Sequence, residues 1–245
     1  MTVYTREGRI LARPSFISPD LSNATAPEDD EAIIDLDKRT LVHLFFKRAV
    51  DVICAIVGII ALFPVFLIVA LFIKLESAGP LFFRQKRLAK GGGHFNMLKF
   101  RSMYVDADEM LIALLKEDAA LREEYTHFHK LRNDPRVTAI GRIIRKYSID
   151  EFPQLWNVLI GEMSLVGPRP YLPGELYKMQ GRGARHILSI RPGLTGLWQT
   201  GGRSRLTFLR RLELDVEYVQ SWTGWLDLRL LVRTIPVILK GEGAS

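Results

Sequence analysis

The chain has 245 residues, of which 48% are hydrophobic, and its 34 basic against 27 acidic side chains give a formal charge of +7. Such a charge favours an anionic partner, whether a membrane surface, a nucleotide or a nucleic acid, without choosing among them. Cys54 is the only cysteine, which excludes an intrachain disulfide and with it the small secreted proteins that depend on disulfides.

The N-terminal segment, residues 1–40, is polar and charged, with prolines at 14, 19 and 27 and the acidic run EDDE at residues 28–31. A segment of this composition buries too little apolar surface to offset the entropy lost on folding. We therefore expect a disordered polar tail over residues 1–40. The chain opens without the apolar stretch of a signal peptide, so we expect no secretion signal there.

A membrane helix is predicted within residues 41–75, because residues 52–73 contain no charged or strongly polar side chain. Together with the three preceding residues, this segment would form a helix of about 37 Å at 1.5 Å per residue, which is long enough to span a bilayer. A buried helix of a soluble protein is the alternative, although such a helix rarely lacks a polar face over this length.

Two features of this helix bear on its topology. Pro64 lies near its middle and removes a backbone hydrogen bond, so a kink is expected. Lys47 and Arg48 precede the apolar segment and five basic residues follow it within residues 74–90, which draws both ends toward the cytoplasm. A re-entrant helix and a kinked spanning helix both remain open. Asp51, at head-group level, either pairs with Lys47 or Arg48 or has a function.

The remaining residues, 76–245, predict a helix-rich α+β domain. A hairpin is expected over residues 80–103 around the glycines at 91–93, and residues 191–202 are rich in glycine and proline and predict a loop. The last helix mixes Trp222, Trp225, Arg229 and Arg233 with aliphatic residues, which suits either a membrane interface or the core. Helices are predicted at residues 106–131, 140–147, 155–160, 172–190, 206–219 and 222–239.

Candidate catalytic residues lie in residues 148–154, SIDEFPQ. Pro153 fits only the first turn of a helix, so a helix begins near Asp150. The positive end of that helix would favour the ionised carboxylate, and an ionised carboxylate is a competent nucleophile toward phosphorus. The alternative is structural. Ser148 and Glu151 have the spacing of a capping box, and Asp150 could be a plain N-cap.

Four basic residues stand beside unusual backbone and are candidates for phosphate binding. Arginine matches phosphate geometry through two parallel hydrogen bonds, and a diphosphate donor would also need a divalent cation held by carboxylate and phosphate oxygens. Taken singly, each of these residues is as well explained by a solvated charge or a salt bridge. The four are Lys99, Arg101, Arg169 and Arg203.

Several ordered motifs give the chain a resemblance to a known family. They include KRAVD at 47–51, GPLFFRQ at 79–85, KFRSM at 99–103, DPRVT at 134–138, SIDEFPQLWN at 148–157, GEMSLVGPRP at 161–170 and RPGLTGLWQ at 191–199. The chain resembles the bacterial sugar transferases of exopolysaccharide synthesis, the monotopic phosphoglycosyl transferases, and among them the short ExoY type. The resemblance runs from residue 47 to about residue 239.

This resemblance implies a function and assigns roles to residues. Asp150 and Glu151 would be the catalytic dyad. Asp150 would attack a UDP-hexose, release UMP and pass hexose-1-phosphate to undecaprenyl phosphate, with UDP-galactose expected before UDP-glucose. The resemblance also implies Mg²⁺ at Asp150, and it places Gln199 in a nucleotide or sugar loop.

The resemblance further implies where the protein works. Lys47, Arg48, Asp51 and Pro64 would anchor a re-entrant helix in the bacterial inner membrane, with the catalytic domain on the cytoplasmic face. The lipid bilayer is then a partner alongside the two substrates, and a homo-oligomer is compatible with the sequence.

Two rival functions are weighed against the transferase. One is a non-catalytic membrane scaffold or regulator of polysaccharide assembly that retains the fold, which the intact Asp150–Glu151 pair argues against. The other is a basic nucleic-acid-binding protein, which would show salt-sensitive binding. The uninterrupted apolar segment and the lack of a recognition motif argue against it, so we expect no nucleic acid partner.

Overall fold

A computed structural model of the chain describes residues 41–240, except 129–130, 132, 179–181 and 203–205. The tail predicted over residues 1–40 lies outside the described residues. The described part confirms the helix-rich α+β class. It has one long apolar helix, two small sheets and a set of shorter helices.

Helix α1, Leu41–Glu76, continues through Pro64. It is the one helix in the described part of the chain that is long and apolar enough to cross a membrane. One side of α1 packs on the rest of the chain through Val69 and Ile73, which join a buried cluster with Phe100 and Ile144. The opposite side exposes large apolar residues, including Ile53, Val57, Ile60, Phe63 and Leu67.

Both ends of α1 are fixed to the residues that follow it. Near the start, Lys47 donates to the Val166 carbonyl at 3.0 Å, and Asp51 accepts from the Leu165 amide at 3.0 Å. At the other end, Glu76 accepts from the Ala139 and Ile140 amides at 2.5 and 3.0 Å. In between, Gly58 lies against Leu155. Helix α1 therefore packs on the rest of the described chain near its start, in its middle and at its end.

The predicted hairpin is confirmed. Strand β1, Phe82–Leu88, pairs antiparallel with β2, His94–Phe100, and a 3-10 turn at Lys90–Gly92 joins them. Gly91 and Gly92 have φ angles of 79° and 83°, a left-handed conformation that side chains other than glycine's disfavour. The glycine run thus makes the tip of the hairpin.

The single helix predicted over residues 106–131 is wrong. The structure has two helices, α2 (Ala107–Glu117) and α3 (Ala119–Phe128), separated at Asp118. The Asp118 carboxylate accepts from the Ala120 and Leu121 amides, so it caps α3 and interrupts the helical hydrogen bonds. The short basic helix is confirmed as α4, Ala139–Lys146, which begins after the capping residue Thr138.

The second sheet was not predicted. After helix α5 (Gln154–Ile160), strand β3 (Ser164–Val166) pairs in parallel with β4 (Gly193–Thr195), which lies in the segment predicted to be a loop. A Cβ atom on Gly193 would lie 2.1 Å from the Gly167 amide nitrogen, so only glycine permits this approach. Between the strands, the helix predicted at 172–190 is reduced to a 3-10 turn (Glu175–Lys178) and α6 (Arg182–Leu188).

Three helices complete the described chain. Helix α7, Leu197–Gly201, also lies in the predicted loop, and α8, Phe208–Ser221, and α9, Gly224–Lys240, confirm the last two predicted helices. Helix α9 packs on the core through Leu230, which is fully buried. Its opposite side exposes an apolar stripe of Trp225, Leu228, Val232 and Ile235, so the membrane interface stays a prediction.

Candidate active site

The carboxylates of Asp150 and Glu151 lie in a 3-10 turn, Ile149–Glu151, immediately before α5. Ser148 opens this turn with φ 56° and is the only residue other than glycine with a positive φ in the described part of the chain. Such a conformation is costly and is often found at functional sites. The Ser148 side chain caps nothing, so the capping box is not formed.

Two cations face these carboxylates. The Lys99 ammonium, on β2, lies 2.5 Å from a Glu151 oxygen and 3.9 Å from an Asp150 oxygen. Arg145, on α4, adds positive charge near Asp150 and donates from its Nε to the Ser102 hydroxyl at 2.8 Å. The site therefore brings strand β2 together with helix α4 and the turn that follows it, about 50 residues later in the sequence.

Burial controls the charge of Asp150, which is 8% exposed. Burial raises the pKa of Asp150 to about 6, the charge of Glu151 adds to the rise, and Lys99 and Arg145 oppose it. This direction is opposite to the expected effect of a helix start. The reason is that Asp150 lies in a short 3-10 turn, and loss of water outweighs the small dipole of that turn. At neutral pH the carboxylate is still mainly ionised.

The turn that carries the dyad approaches α1 through a neighbouring residue. Phe152, two residues after Asp150, lies beside the second half of α1, where its ring centre is 6.5 Å from that of Phe66. Ile149 packs on a buried cluster to which α1 contributes Val69 and Ile73, β2 contributes Phe100 and α4 contributes Ile144. The turn itself packs on α4 and β2.

Asn157 fixes α5 against β2. Its side chain accepts from the Leu98 amide at 3.0 Å and donates to the Asn96 carbonyl at 2.9 Å, and it is 1% exposed. Because Lys99 follows Leu98 and α5 follows the dyad, these two bonds set the position of the Lys99 ammonium relative to the carboxylates.

A second cationic cluster surrounds Trp198. The guanidinium groups of Arg169 and Arg211 lie 5.9 and 5.0 Å from the centre of the Trp198 ring, within range of a cation–π interaction. Below them, the fully buried Asp215 accepts from the Tyr171 hydroxyl at 2.6 Å, the Arg169 amide at 3.1 Å and the Trp198 indole at 3.3 Å. Asp215 therefore holds the loop that carries Arg169.

Arg87 lies between the two clusters. Its guanidinium donates to the Pro170 carbonyl at 3.1 Å, and its pKa is lowered to about 10, first by burial and then by the charge of Arg169, while Glu175 and Glu151 oppose the shift. The group stays charged at neutral pH. The dyad, Arg87 and Arg169 are therefore close enough to feel one another's charge.

The other predicted site residues have different surroundings. Arg101 is buried and donates to the carbonyls of Ser77 and Ala78 at 2.6 and 2.8 Å, so it secures the chain that leaves α1. The Gln199 side-chain oxygen is buried in α7 above Gly196. Arg203 lies outside the described residues.

A divalent cation fits the carboxylates of the dyad. The described residues contain no group of three or more acids, histidines or cysteines placed to hold a metal ion. Magnesium, however, is usually held by one or two carboxylates together with substrate phosphates. Asp150 and Glu151 supply those carboxylates, so they match a metal that arrives with a diphosphate.

Three contributors to the site were missed by the sequence prediction, namely Arg87, Arg145 and Asp215. Arg145 belongs to the helix predicted at residues 140–147 and lies five residues before Asp150. Arg87 and Asp215 carried no local signal, because each joins the site through contacts with residues far away in the chain.

Comparison with known proteins agrees with this geometry. The family described as bacterial sugar transferase matches residues 42–241. The chain is 42% identical over 198 residues to the exopolysaccharide production protein ExoY of Sinorhizobium fredii, which covers 81% of this chain and 87% of that protein.

Two further relatives have printed names that state a reaction. One is the undecaprenyl-phosphate galactose phosphotransferase of Salmonella typhimurium, 42% identical across 82% of this chain but only 42% of its own length. The other is the UDP-glucose:undecaprenyl-phosphate glucose-1-phosphate transferase of Caulobacter vibrioides, 42% identical across 81% of this chain and 71% of its own length. The chain thus spans most of the ExoY protein and about two fifths of the Salmonella one.

Proposed function

Because the chain belongs to the bacterial sugar transferase family, we propose that it transfers hexose-1-phosphate from a UDP-hexose to undecaprenyl phosphate, as the first step of exopolysaccharide synthesis. The observation that carries this proposal is the buried Asp150 carboxylate, next to Glu151, faced by Lys99 and followed by Phe152, whose ring lies beside Phe66 of α1. The names of relatives support UDP-galactose or UDP-glucose as donor.

The first step uses Asp150 as a nucleophile. One of its carboxylate oxygens bonds to the β-phosphorus of the UDP-hexose, and the bond from that phosphorus to the bridging oxygen breaks. UMP leaves with the electron pair, and a hexose-phosphoryl aspartate remains. An ionised carboxylate is required, and Lys99 and Arg145 favour that form.

The second step returns the enzyme to its starting state. A phosphate oxygen of undecaprenyl phosphate attacks the same phosphorus, and the bond to Asp150 breaks. The product is undecaprenyl-diphospho-hexose, and the carboxylate is free again. Glu151, held by Lys99 at 2.5 Å, is placed to manage a proton or the metal ion during both steps.

The four cations of the site have different positions relative to Asp150. Lys99 and Arg145 lie next to the reacting carboxylate, whereas Arg87 and Arg169 extend positive charge away from it. A UDP-sugar has two phosphates and needs charge over a comparable distance. We assign the diphosphate to the side of the dyad that faces Arg87 and Arg169. Mg²⁺ held by Asp150 and Glu151 would supply further charge neutralisation at the phosphates.

The attachments of α1 support a re-entrant topology. Its start is bonded to Val166 and Leu165, and its end to the first amides of α4. A spanning helix would carry one of these ends to the far side of the bilayer, away from a domain that lies on one side. We therefore place both ends, and the catalytic domain, on the cytoplasmic face of the inner membrane, where a water-soluble donor and a lipid acceptor can both reach Asp150.

The deciding experiment measures UMP release by the full chain in detergent, with a panel of UDP-sugars and undecaprenyl phosphate. One UDP-hexose should give acceptor-dependent turnover, and Asp150→Asn should give none. Asp118→Asn, a change of the same chemistry at a helix cap, is the matched control and should retain turnover. No UMP release with any donor would favour the non-catalytic scaffold instead.

A further inference from the structure

A pocket of about 90 Å³ opens beside the start of α1, at the opposite end of α5 from the dyad. A cavity of that volume holds several waters or a polyatomic anion, whereas a second cavity of about 10 Å³ beside Arg169 holds one water at most. Neither carboxylate of the dyad lines the larger pocket. Its polar lining includes Lys47, Arg48, Asp51, Lys90 and Arg191.

The charge of this pocket is strongly positive. Four of its lining side chains are cations and one is a carboxylate. Among the residues that the structure describes, Lys47 is the one of these four cations with an acidic partner, Asp227, at 2.6 Å. Arg48 donates to the Val158 and Leu159 carbonyls, and Arg191 donates to the Gly161 carbonyl, so both bind neutral groups.

Lys90 is the least engaged of the four cations. It lies at the exposed tip of the hairpin, and within the part of the chain that the structure describes its ammonium forms no hydrogen bond or ion pair. Because few acidic groups balance the positive charge of the pocket, the pocket favours an anion.

The position of the pocket identifies the kind of anion. Arg48 stands one turn before the apolar segment, and Phe45 and Phe46 beside it are largely exposed. Trp222, which lines the pocket, is a residue type enriched at the interface between lipid and water. Basic pockets beside a membrane helix on the cytoplasmic side bind phosphate-bearing head groups.

We propose that this pocket binds the head-group phosphate of an acidic phospholipid, whose acyl chains lie along the exposed apolar side of α1. Arg48 and Arg191 present guanidinium groups, which suit a phosphate, and Lys90 closes the site from the hairpin. The bound lipid holds the start of α1 at head-group depth. This proposal does not depend on the transfer reaction, because the pocket shares no residue with the dyad.

Helix capping alone accounts for part of the arrangement. Arg48 and Arg191 bind the last carbonyls of α5 and would do so without any ligand. Capping explains neither the open cavity nor Lys90 at its edge. Lys90 is therefore the residue that separates the two explanations, because its neutralisation removes a charge from the pocket and no described contact from the fold.

The test is native mass spectrometry of the full chain in detergent, titrated separately with phosphatidylglycerol, phosphatidylcholine and inorganic phosphate. We expect phosphatidylglycerol to bind preferentially. Lys90→Gln should weaken that binding about fivefold, which corresponds to the loss of one basic charge near a membrane surface. Lys116→Gln, an exposed lysine on α2, is the matched control and should bind as the unsubstituted chain does.

Two further variants keep the proposal falsifiable if capping matters for folding. Arg48→Lys and Arg191→Lys keep the charge but lose the planar group, and each should retain preferential binding of phosphatidylglycerol. The proposal is overturned if Lys90→Gln binds phosphatidylglycerol as tightly as the unsubstituted chain. Equal binding of phosphatidylcholine would overturn it too, as would complete displacement of the lipid by inorganic phosphate.

Discussion

Two buried carboxylates, Asp150 and Asp215, differ in what surrounds them. Burial raises the pKa of both, to about 6 for Asp150 and about 7 for Asp215. Three neutral donors converge on one oxygen of Asp215. The described neighbours of Asp150 are instead charged, with Lys99 at 3.9 Å and Glu151 next in the chain.

This contrast separates a structural carboxylate from a reactive one. A carboxylate with three hydrogen bonds on one oxygen is held in place and weakened as a nucleophile, whereas one surrounded by charges stays available to react. Burial and a shifted pKa occur at both positions, so neither identifies the nucleophile. The kind of group that surrounds each carboxylate identifies the nucleophile, and the following predictions test that distinction.

The largest expected effect is the loss of activity in Asp150→Asn. Removing the nucleophile should lower UMP release by about a thousandfold or more. The same change should raise the melting temperature. Because burial raises the pKa of Asp150 from 3.8 to about 6 in the folded state, this carboxyl lowers the free energy of unfolding progressively between about pH 4 and pH 6, and the full cost remains above pH 6. Calorimetry alongside the assay checks both parts, and a lower melting temperature would contradict the second.

Asp215→Ala should act on stability instead. It leaves the Tyr171 hydroxyl, the Trp198 indole and the Arg169 amide without their shared acceptor, which should cost about 3 kcal/mol of folding free energy. Asp150→Ala, the matched substitution, removes no comparable set of hydrogen bonds. Thermal melts of the two variants in the same detergent test this prediction. Equal losses of folding free energy would show that Asp215 is no more important for stability than Asp150.

Acidification should inactivate the enzyme through Asp150. A carboxylate with a pKa of about 6 is mostly protonated at pH 5, so UMP release there should be about tenfold lower than at pH 7. A pH–rate profile of the unsubstituted chain checks this. A rate that stays constant down to pH 5 would mean that the reactive group ionises well below pH 5.

The smallest expected effect comes from Lys99→Gln. Lys99 favours the ionised form of Asp150, so without it the acid limb of the pH–rate profile should move to higher pH, and the rate at pH 6 should fall several-fold. Lys86→Gln, an exposed lysine on the same hairpin, is the control. An unchanged pH profile in Lys99→Gln would show that this lysine acts on Glu151 alone.

Local patterns predicted much of this fold. The hairpin, α4, α5, α8 and α9 follow from periodicity, from glycine and from proline. Pro153 pointed to a helix start near Asp150, but the residues alone left a structural cap open, and the family resemblance supplied the role of Asp150 and Glu151 as a dyad. The parallel pair β3 and β4 could not be predicted in this way. It depends on Gly167 and Gly193 approaching across a segment that holds α6, and no local signal encodes that approach.

The site shows the same division between local and distant information. Asp150 and Glu151 are neighbours in sequence, and their motif was evident. Arg87 and Asp215 reach the site through bonds to the loop around Arg169 and Pro170. The expected ionising effect of a helix start was outweighed by burial of Asp150. That burial depends on packing of the turn against β2 and α4, which the local sequence does not specify.

The most direct test is to trap the intermediate. The full chain is mixed with the UDP-hexose that it uses, without undecaprenyl phosphate, quenched in acid and digested, and the peptide that contains residues 148–154 is examined by mass spectrometry. We predict a hexose-phosphate adduct on Asp150 that disappears when undecaprenyl phosphate is added before the quench. Turnover with no adduct at Asp150, or with an adduct on another residue, would contradict the account.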